Sequence, residues 1–298
     1  MFPSFTLMFA SIILVIILIL NLHGVIENQK LNVNKRINQD FQVDLDIGAY
    51  NVTKPFFYYP GQKYKRGVLL IHGFSASTSE FKYLMQELKS LDIPFYAPTL
   101  TGFGLINSNL LRAVSPEDWK RDVVYAYDNL NSLCDEIDVV GHSMGGLLAM
   151  HLAAVRDIRK LILTSPYLKE KENHSWYKKY LLKSSFSGLI KKIRPVIVKS
   201  SKKNEENSRF VYSVVPIESV ESLWKLTDSL NSLKLFVKDL TLLLGSKDST
   251  IELKWTTNYF AEKCEKYECI TFEESGHNIL EDIESEKINS LIIKKLSD

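Results

Sequence analysis

The sequence predicts an α/β fold: a mostly parallel central sheet flanked by helices on both faces. Three observations predict it. Between Val68 and Leu296, short apolar runs alternate with longer amphipathic stretches. The short runs are apolar at nearly every position, as strands buried on both faces are, whereas a sheet with one wet face alternates polar and apolar residues. One run also leads directly into Gly141-His142-Ser143-Met144-Gly145 and an apolar helical stretch, the surroundings of a tight strand-to-helix turn.

The chain opens on a different kind of segment. From Met1 to Ile26 there is no Asp, Glu, Lys or Arg, and Phe5 to Leu20 is almost wholly apolar. Such a run spans a bilayer core of about 30 Å. A cleaved signal peptide competes with this reading, but a basic stretch before the run and an A-x-A site after it are both missing. Residues 1–26 are therefore expected to be a retained membrane anchor. Lys30, Lys35 and Arg36 follow the span, which favours a cytoplasmic body. Residues 27–50 are polar without a clear helical period and are expected to be a linker.

Residues 51–298 carry the folded domain. Val68 to Ile71 reads as a buried strand, Glu80 to Leu91 as a helix, and Phe95 to Ala97 as a strand. Pro116 to Leu133 is a helix with proline in its first turn. Ile137 to Val140 is a strand, Gly145 to Val155 a helix, and Leu161 to Leu163 a strand. Leu240 to Leu244 and Ile270 to Phe272 complete the strands, and Ile283 to Leu296 closes the chain as a helix. The alternation breaks over about 166–235, read as an insertion. Lys169 to Lys203 holds eleven Lys and Arg against Glu170 and Glu172, a local +9 that leaves −7 for the remainder of a +2 chain. Trp176, Tyr177, Tyr180, Leu181, Phe186, Leu189, Ile190 and Ile193 recur there at helical spacing. A basic, aromatic stretch of this kind lies on an anionic membrane, or is a solvated face over ordinary core.

Composition removes other classes. With 13 Gly, 3 Cys and 45% hydrophobic residues, the chain is neither collagen-like, nor a disulfide scaffold, nor disordered. The net charge of +2 excludes a global polycation, and nucleic acid is not expected as a partner. Cys134, Cys264 and Cys269 are odd in number and lack metal spacing, so free thiols are expected. No G-x-G-x-x-G follows the first strand and no P-loop occurs, so no cofactor is expected.

The chemistry centres on Ser143. In G-x-S-x-G the serine sits on a sharp turn that lifts its hydroxyl above the sheet edge, and small neighbours make the turn possible. The following helix aims its N-terminus at the place where negative charge would develop. A serine hydroxyl needs a base, and His277 in Ser275-Gly276-His277 lies just after the last predicted strand. Asp248, in the loop after the preceding strand, is the carboxylate to orient that ring. Taken singly, His277 reads as a surface histidine and Asp248 as a turn former; together they follow the order Ser, Asp, His at consecutive strand ends. Two backbone N–H groups, of Met144 and Phe74, are the candidate oxyanion donors. His72 and His142 are expected to be packing residues, and His23, His151 and His174 show no partner pattern.

These residues carry a resemblance. His72-Gly73-Phe74, Gly141 to Gly146, Gly245-Ser246-Lys247-Asp248 and Ser275-Gly276-His277 resemble the α/β-hydrolase superfamily, specifically its carboxylesterase and monoacylglycerol-lipase branch. Ser115 to Val123 is similar to the bacterial esterases of that branch. The likeness spans about Val68 to Leu296, apart from the basic insertion, which in this family forms a cap over the acyl pocket. One departure is Gly102-Phe103-Gly104, where many relatives have Gly-His-Gly. The resemblance implies ester hydrolysis through an acyl-enzyme, with Ser143 as nucleophile, His277 as base then acid, and Asp248 fixing the tautomer. The anchor and aromatic cap favour lipid-derived substrates such as monoacylglycerols or short to medium acyl esters. Acyl transfer, or thioester or peptide cleavage, would use the same triad, and a catalytically inactive membrane-tethered binding protein is the reading from another class.

Overall fold

The computed structural model describes residues 5–61, 64–171, 184, 187–198, 210–235 and 237–298. The strands are β1 (Val43–Asp44), β2 (Ala49–Tyr50), β3 (Phe56–Tyr58), β4 (Tyr64–Ile71), β5 (Phe95–Ala97), β6 (Cys134–His142), β7 (Lys160–Thr164), β8 (Val196–Val198), β9 (Val214–Pro216), β10 (Asp239–Gly245) and β11 (Glu268–Phe272). The helices are α1 (Phe5–Gln29), α2 (Val33–Ile37), α3 (Lys82–Ser90), α4 (Pro116–Asn131), α5 (Met144–Ala153), α6 (Ser187–Ile193), α7 (Ile217–Thr227), α8 (Leu253–Lys263) and α9 (Ser285–Ser297).

The main sheet runs in the order β11-β10-β7-β6-β4-β5-β3. All its pairings are parallel except β3 with β5 at the edge. Adjacent residues of one strand face opposite ways, so each strand feeds two cores. Leu69, Ile71, Val139, Leu161, Leu163, Leu242 and Leu244 pack with α4, α5 and α8. Val68, Leu70, Val140, Ile162 and Leu243 pack with α3 and α9. That double burial is why the strands read as continuous apolar runs. Helix α4 begins where Pro116 suggested, behind a capping box in which Ser115 and Asp118 satisfy each other's backbone N–H. Helix α5 is buried on nearly every side, which accounts for its all-round apolarity.

The structure extends the sequence reading at the edges. Phe56–Tyr58 forms an antiparallel edge strand that the apolar pattern did not announce. Within the insertion, β8 and β9 pair as an antiparallel hairpin, followed by α7. The aromatic residues Trp176, Tyr177, Tyr180, Leu181 and Phe186, with Lys178 and Lys179, lie outside the described residues. Of the basic residues that are described, Lys191 is ion-paired with Glu221 at 2.6 Å, within the cap itself.

The N-terminal segments also differ from a plain anchor and linker. Helix α1 is long and apolar enough to cross a membrane by length and composition, and Ile12 to Ile19 are exposed along it. The residues after it do not trail as a tether. A 3₁₀ turn (Lys30–Asn32) and α2 follow, and Asn34 and Asn38 are buried. The polar composition that suggested a tether is instead hydrogen-bonding capacity used against the cap.

Candidate active site

The site lies at the carboxyl ends of the parallel strands, where the chain is strained at three serines. Ser75 after β4, Ser143 after β6 and Ser165 after β7 have φ of 65°, 54° and 44°. A non-glycine residue in that region costs about 1–3 kcal/mol and persists only where the surroundings over-determine it. At Ser143 they do: its N–H donates to Thr164 O at 3.0 Å, and its carbonyl accepts from Tyr167 N–H at 2.9 Å. The neighbouring glycines are sterically required. A Cβ on Gly145 would stand 1.9 Å from Ile71 O, and one on Gly141 2.5 Å from Gly145 O.

The three residues singled out by the sequence are brought together. Ser143 Oγ lies 2.8 Å from His277 Nε2, and His277 Nδ1 lies 2.7 Å from Asp248 Oδ2. A carboxylate only accepts, so Nδ1 carries the proton, and Nε2 is left to accept from the serine hydroxyl. Asp248 Oδ1 in turn accepts from Thr250 N–H at 2.7 Å and Ile251 N–H at 3.1 Å. Burial opposes ionisation of Asp248, but the His277 hydrogen bond and charge, with those two N–H groups, hold its carboxyl below the ordinary value of 3.8.

The loops carrying Asp248 and His277 are fastened to each other. Ser246 N–H donates to Phe272 O at 2.8 Å, and Lys247 N–H to Ser275 O at 3.0 Å. Gly245 permits the approach, since a Cβ there would be 2.2 Å from Gly276 O. The distance from Asp248 to His277 is thus set by backbone bonds between adjacent loops, not by the two side chains alone.

The candidate oxyanion donors flank Ser143. Met144 opens α5, and first-turn N–H groups of a helix have no acceptor within it. The Gly73-Phe74 loop passes so close that a Cβ on Gly73 would stand 3.3 Å from Ser143 Cβ. One residue of this loop's support escaped sequence reasoning, which took Glu80 only as the start of a helix. Glu80 is 3% exposed and its Oε2 accepts Gly73 N–H at 2.7 Å. No local signal marks it, because the partner lies seven residues upstream across a turn.

His72 and His142 occupy packing positions. His72 is buried, its Nδ1 2.9 Å from Gly73 O and its Nε2 accepting Leu100 N–H at 3.1 Å. His142 Nδ1 is 3.0 Å from Thr164 O. Phe103, which stands where a histidine was expected by resemblance, is buried, stacked on Trp119 at 5.8 Å and edge-on to Phe74 at 5.6 Å. Among the described residues no His, Cys, Asp and Glu group could hold a metal.

A model of the Alpha/beta hydrolase family matches residues 68–286. The chain belongs to that family. This hydrolase is 25% identical over 239 residues to a carboxylesterase of Bacillus subtilis, a match covering 79% of the chain and 93% of the relative. Among solved structures it is similar to one from the metagenome-derived lipolytic enzymes LipS and LipT, with a TM-score of 0.70, 19% identity, and coverage of 83% of this chain and 98% of the other. The monoacylglycerol lipase of Paleococcus ferrophilus matches with a TM-score of 0.62, 18% identity, and coverage of 82% and 98%. At such identities the structural likeness carries the fold.

Proposed function

We propose that this hydrolase cleaves carboxylic esters through a Ser143-His277-Asp248 triad and an acyl-enzyme, acting on lipid-derived substrates at a membrane. The single observation that carries the reading is the hydrogen-bonded chain from Ser143 Oγ through both nitrogens of His277 to buried Asp248. In this reading His277 takes the Ser143 proton as Oγ attacks the ester carbonyl. The tetrahedral oxyanion accepts from the Phe74 and Met144 N–H groups. His277 then returns the proton to the leaving alcohol, and water repeats the sequence in deacylation. Asp248 stays ionised throughout, which its depressed pKa favours, and stabilises the imidazolium.

The substrate class is supported by the names of the relatives, a carboxylesterase and a monoacylglycerol lipase, and by helix α1. We assign α1 as a retained anchor, and Lys30, Lys35 and Arg36 after it favour a cytoplasmic body.

The test uses the full chain in detergent micelles with p-nitrophenyl esters of increasing acyl length and a fluorophosphonate probe. Turnover and covalent labelling that vanish in Ser143→Ala, with turnover lost in His277→Ala, are expected. A folded wild type that neither turns over nor labels would sink the hydrolase reading.

A further inference from the structure

We propose that Asn34 and Asn38 are positioning residues, which grip the cap segment 211–214 and through it fix the loop carrying the Phe74 N–H donor. The proposal rests on the serine-hydrolase reading above.

Both asparagines are buried, at 2% and 0% exposure, in a stretch whose composition is otherwise that of a surface. They stand four residues apart, so they share one side of α2 and the turn that ends it. Each uses its amide as a strand would use its backbone. Asn34 Nδ2 donates to Val214 O at 2.6 Å while its Oδ1 accepts Val214 N–H at 3.1 Å. Asn38 Nδ2 donates to Val211 O at 3.0 Å while its Oδ1 accepts Val211 N–H at 3.4 Å. A short side chain that both donates and accepts from one planar group is an amide, and aspartate or serine lacks that pairing.

Between the two gripped residues lies Tyr212. Its N–H donates to Ser75 O at 2.8 Å, its hydroxyl donates to Leu105 O, and its ring is fully buried against Phe210 at 5.2 Å. Ser75 directly follows Phe74 and is itself strained at φ 65°, a conformation that needs an external hold. Phe103 completes a second path, 6.5 Å from Tyr212 and 5.6 Å from Phe74. A continuous line of contact therefore runs from the asparagines to the candidate oxyanion donor.

Residues 30–38, the stem, follow directly on the apolar helix α1, and that helix also meets the cap. Gly24 of α1 lies so close to α6 that a Cβ would stand 2.0 Å from Lys192 O. Arg112 bonds Asn28 at 2.5 Å and Glu218 of α7 at 2.6 Å. Helix α1 thus touches the cap directly, whereas the two amides hold the cap from residues 34 and 38.

The experiment compares the full-length wild type with Asn38→Ala and with Asn34→Ala/Asn38→Ala in detergent micelles, reading kcat and KM for p-nitrophenyl butyrate and the fluorophosphonate labelling rate. Displacing an oxyanion donor slows chemistry without weakening ground-state binding. The expected result is a fall in kcat of about tenfold or more in the double variant, a parallel fall in labelling, and KM within about twofold. An unchanged kcat in a folded double variant, or a loss confined to KM, overturns the proposal. If the double variant shows no cooperative thermal transition, Asn38→Ala decides by the same split, because it leaves the Asn34 pair intact. Amide exchange in the peptide covering 210–216 keeps the link testable apart from catalysis. Exchange at least about tenfold faster in Asn38→Ala supports the grip, and unchanged exchange refutes it. A wild type without turnover or labelling would instead count against the hydrolase reading.

Discussion

Ser143 trades stability for placement. Its left-handed backbone lifts the hydroxyl toward His277 at a cost of about 1–3 kcal/mol. Ser143→Gly should therefore abolish turnover and raise stability by about 1 kcal/mol, net of the extra chain entropy of glycine, as urea unfolding would measure. Asp248→Asn should keep the geometry but let the ring adopt the wrong tautomer, lowering kcat by about 10⁴ while fluorophosphonate labelling slows in step. A different residue contributes to acid stability. Burial lowers the His151 pKa from 6.5 to about 4, with Nε2 held 3.1 Å from Leu226 O. A histidine depressed on folding binds its proton more readily in the unfolded chain. Stability is therefore full above 6.5 and falls as pH drops toward about 4, and the total loss is on the order of 3 kcal/mol. His151→Gln should flatten the unfolding-versus-pH curve in that window, and an unaltered slope would show that His151 is not the group responsible.

At the scale of elements, the turn from β6 into α5 works because its glycines let three backbones meet. Gly145→Ala puts a methyl group into Ile71 O of the neighbouring strand. Neither backbone can move without breaking the β4–β6 pairing, which runs from Tyr64 opposite Cys134 to Ile71 opposite Gly141. The expected cost exceeds about 3 kcal/mol. Gly188 in α6 is the contrast, with nothing within 4 Å of its added Cβ. Gly188→Ala should stabilise the chain by up to about 1 kcal/mol, through helix propensity alone. Thermal unfolding of the two variants side by side separates packing from propensity.

For the whole molecule, the membrane reading and the catalytic reading separate cleanly. Deleting residues 1–29 removes α1 and keeps the stem; deleting 1–42 removes both. The first deletion should move the protein from the membrane pellet to the supernatant with esterase turnover within about threefold of the parent in detergent. The second should also lose solubility or turnover, because it leaves the 211–214 backbone without the amides that satisfy it. Fractionation followed by an ester assay reads both. Equal activity in the two deletions would mean that the stem is dispensable.

The sequence alone carried the parallel sheet, because strands buried on both faces are apolar at nearly every position, as Val68 to Ile71 are throughout and Leu240 to Leu244 are apart from Thr241. It carried the order Ser143, Asp248, His277, because each follows a recognisable strand and the glycines of the turn leave a local mark. The edge strand Phe56–Tyr58 was not legible: three residues carry too little period to read, and their pairing is set by β5, about forty positions away. Glu80 and the Asn34 and Asn38 amides were not legible either. Each is a polar residue whose partner is distant in the chain, and polarity in a sequence looks the same whether it is spent on water or on a buried backbone group. Local pattern determines what apolar residues must do, since only burial satisfies them. Which polar residues are buried, and against what, is decided only when the tertiary structure brings their partners together.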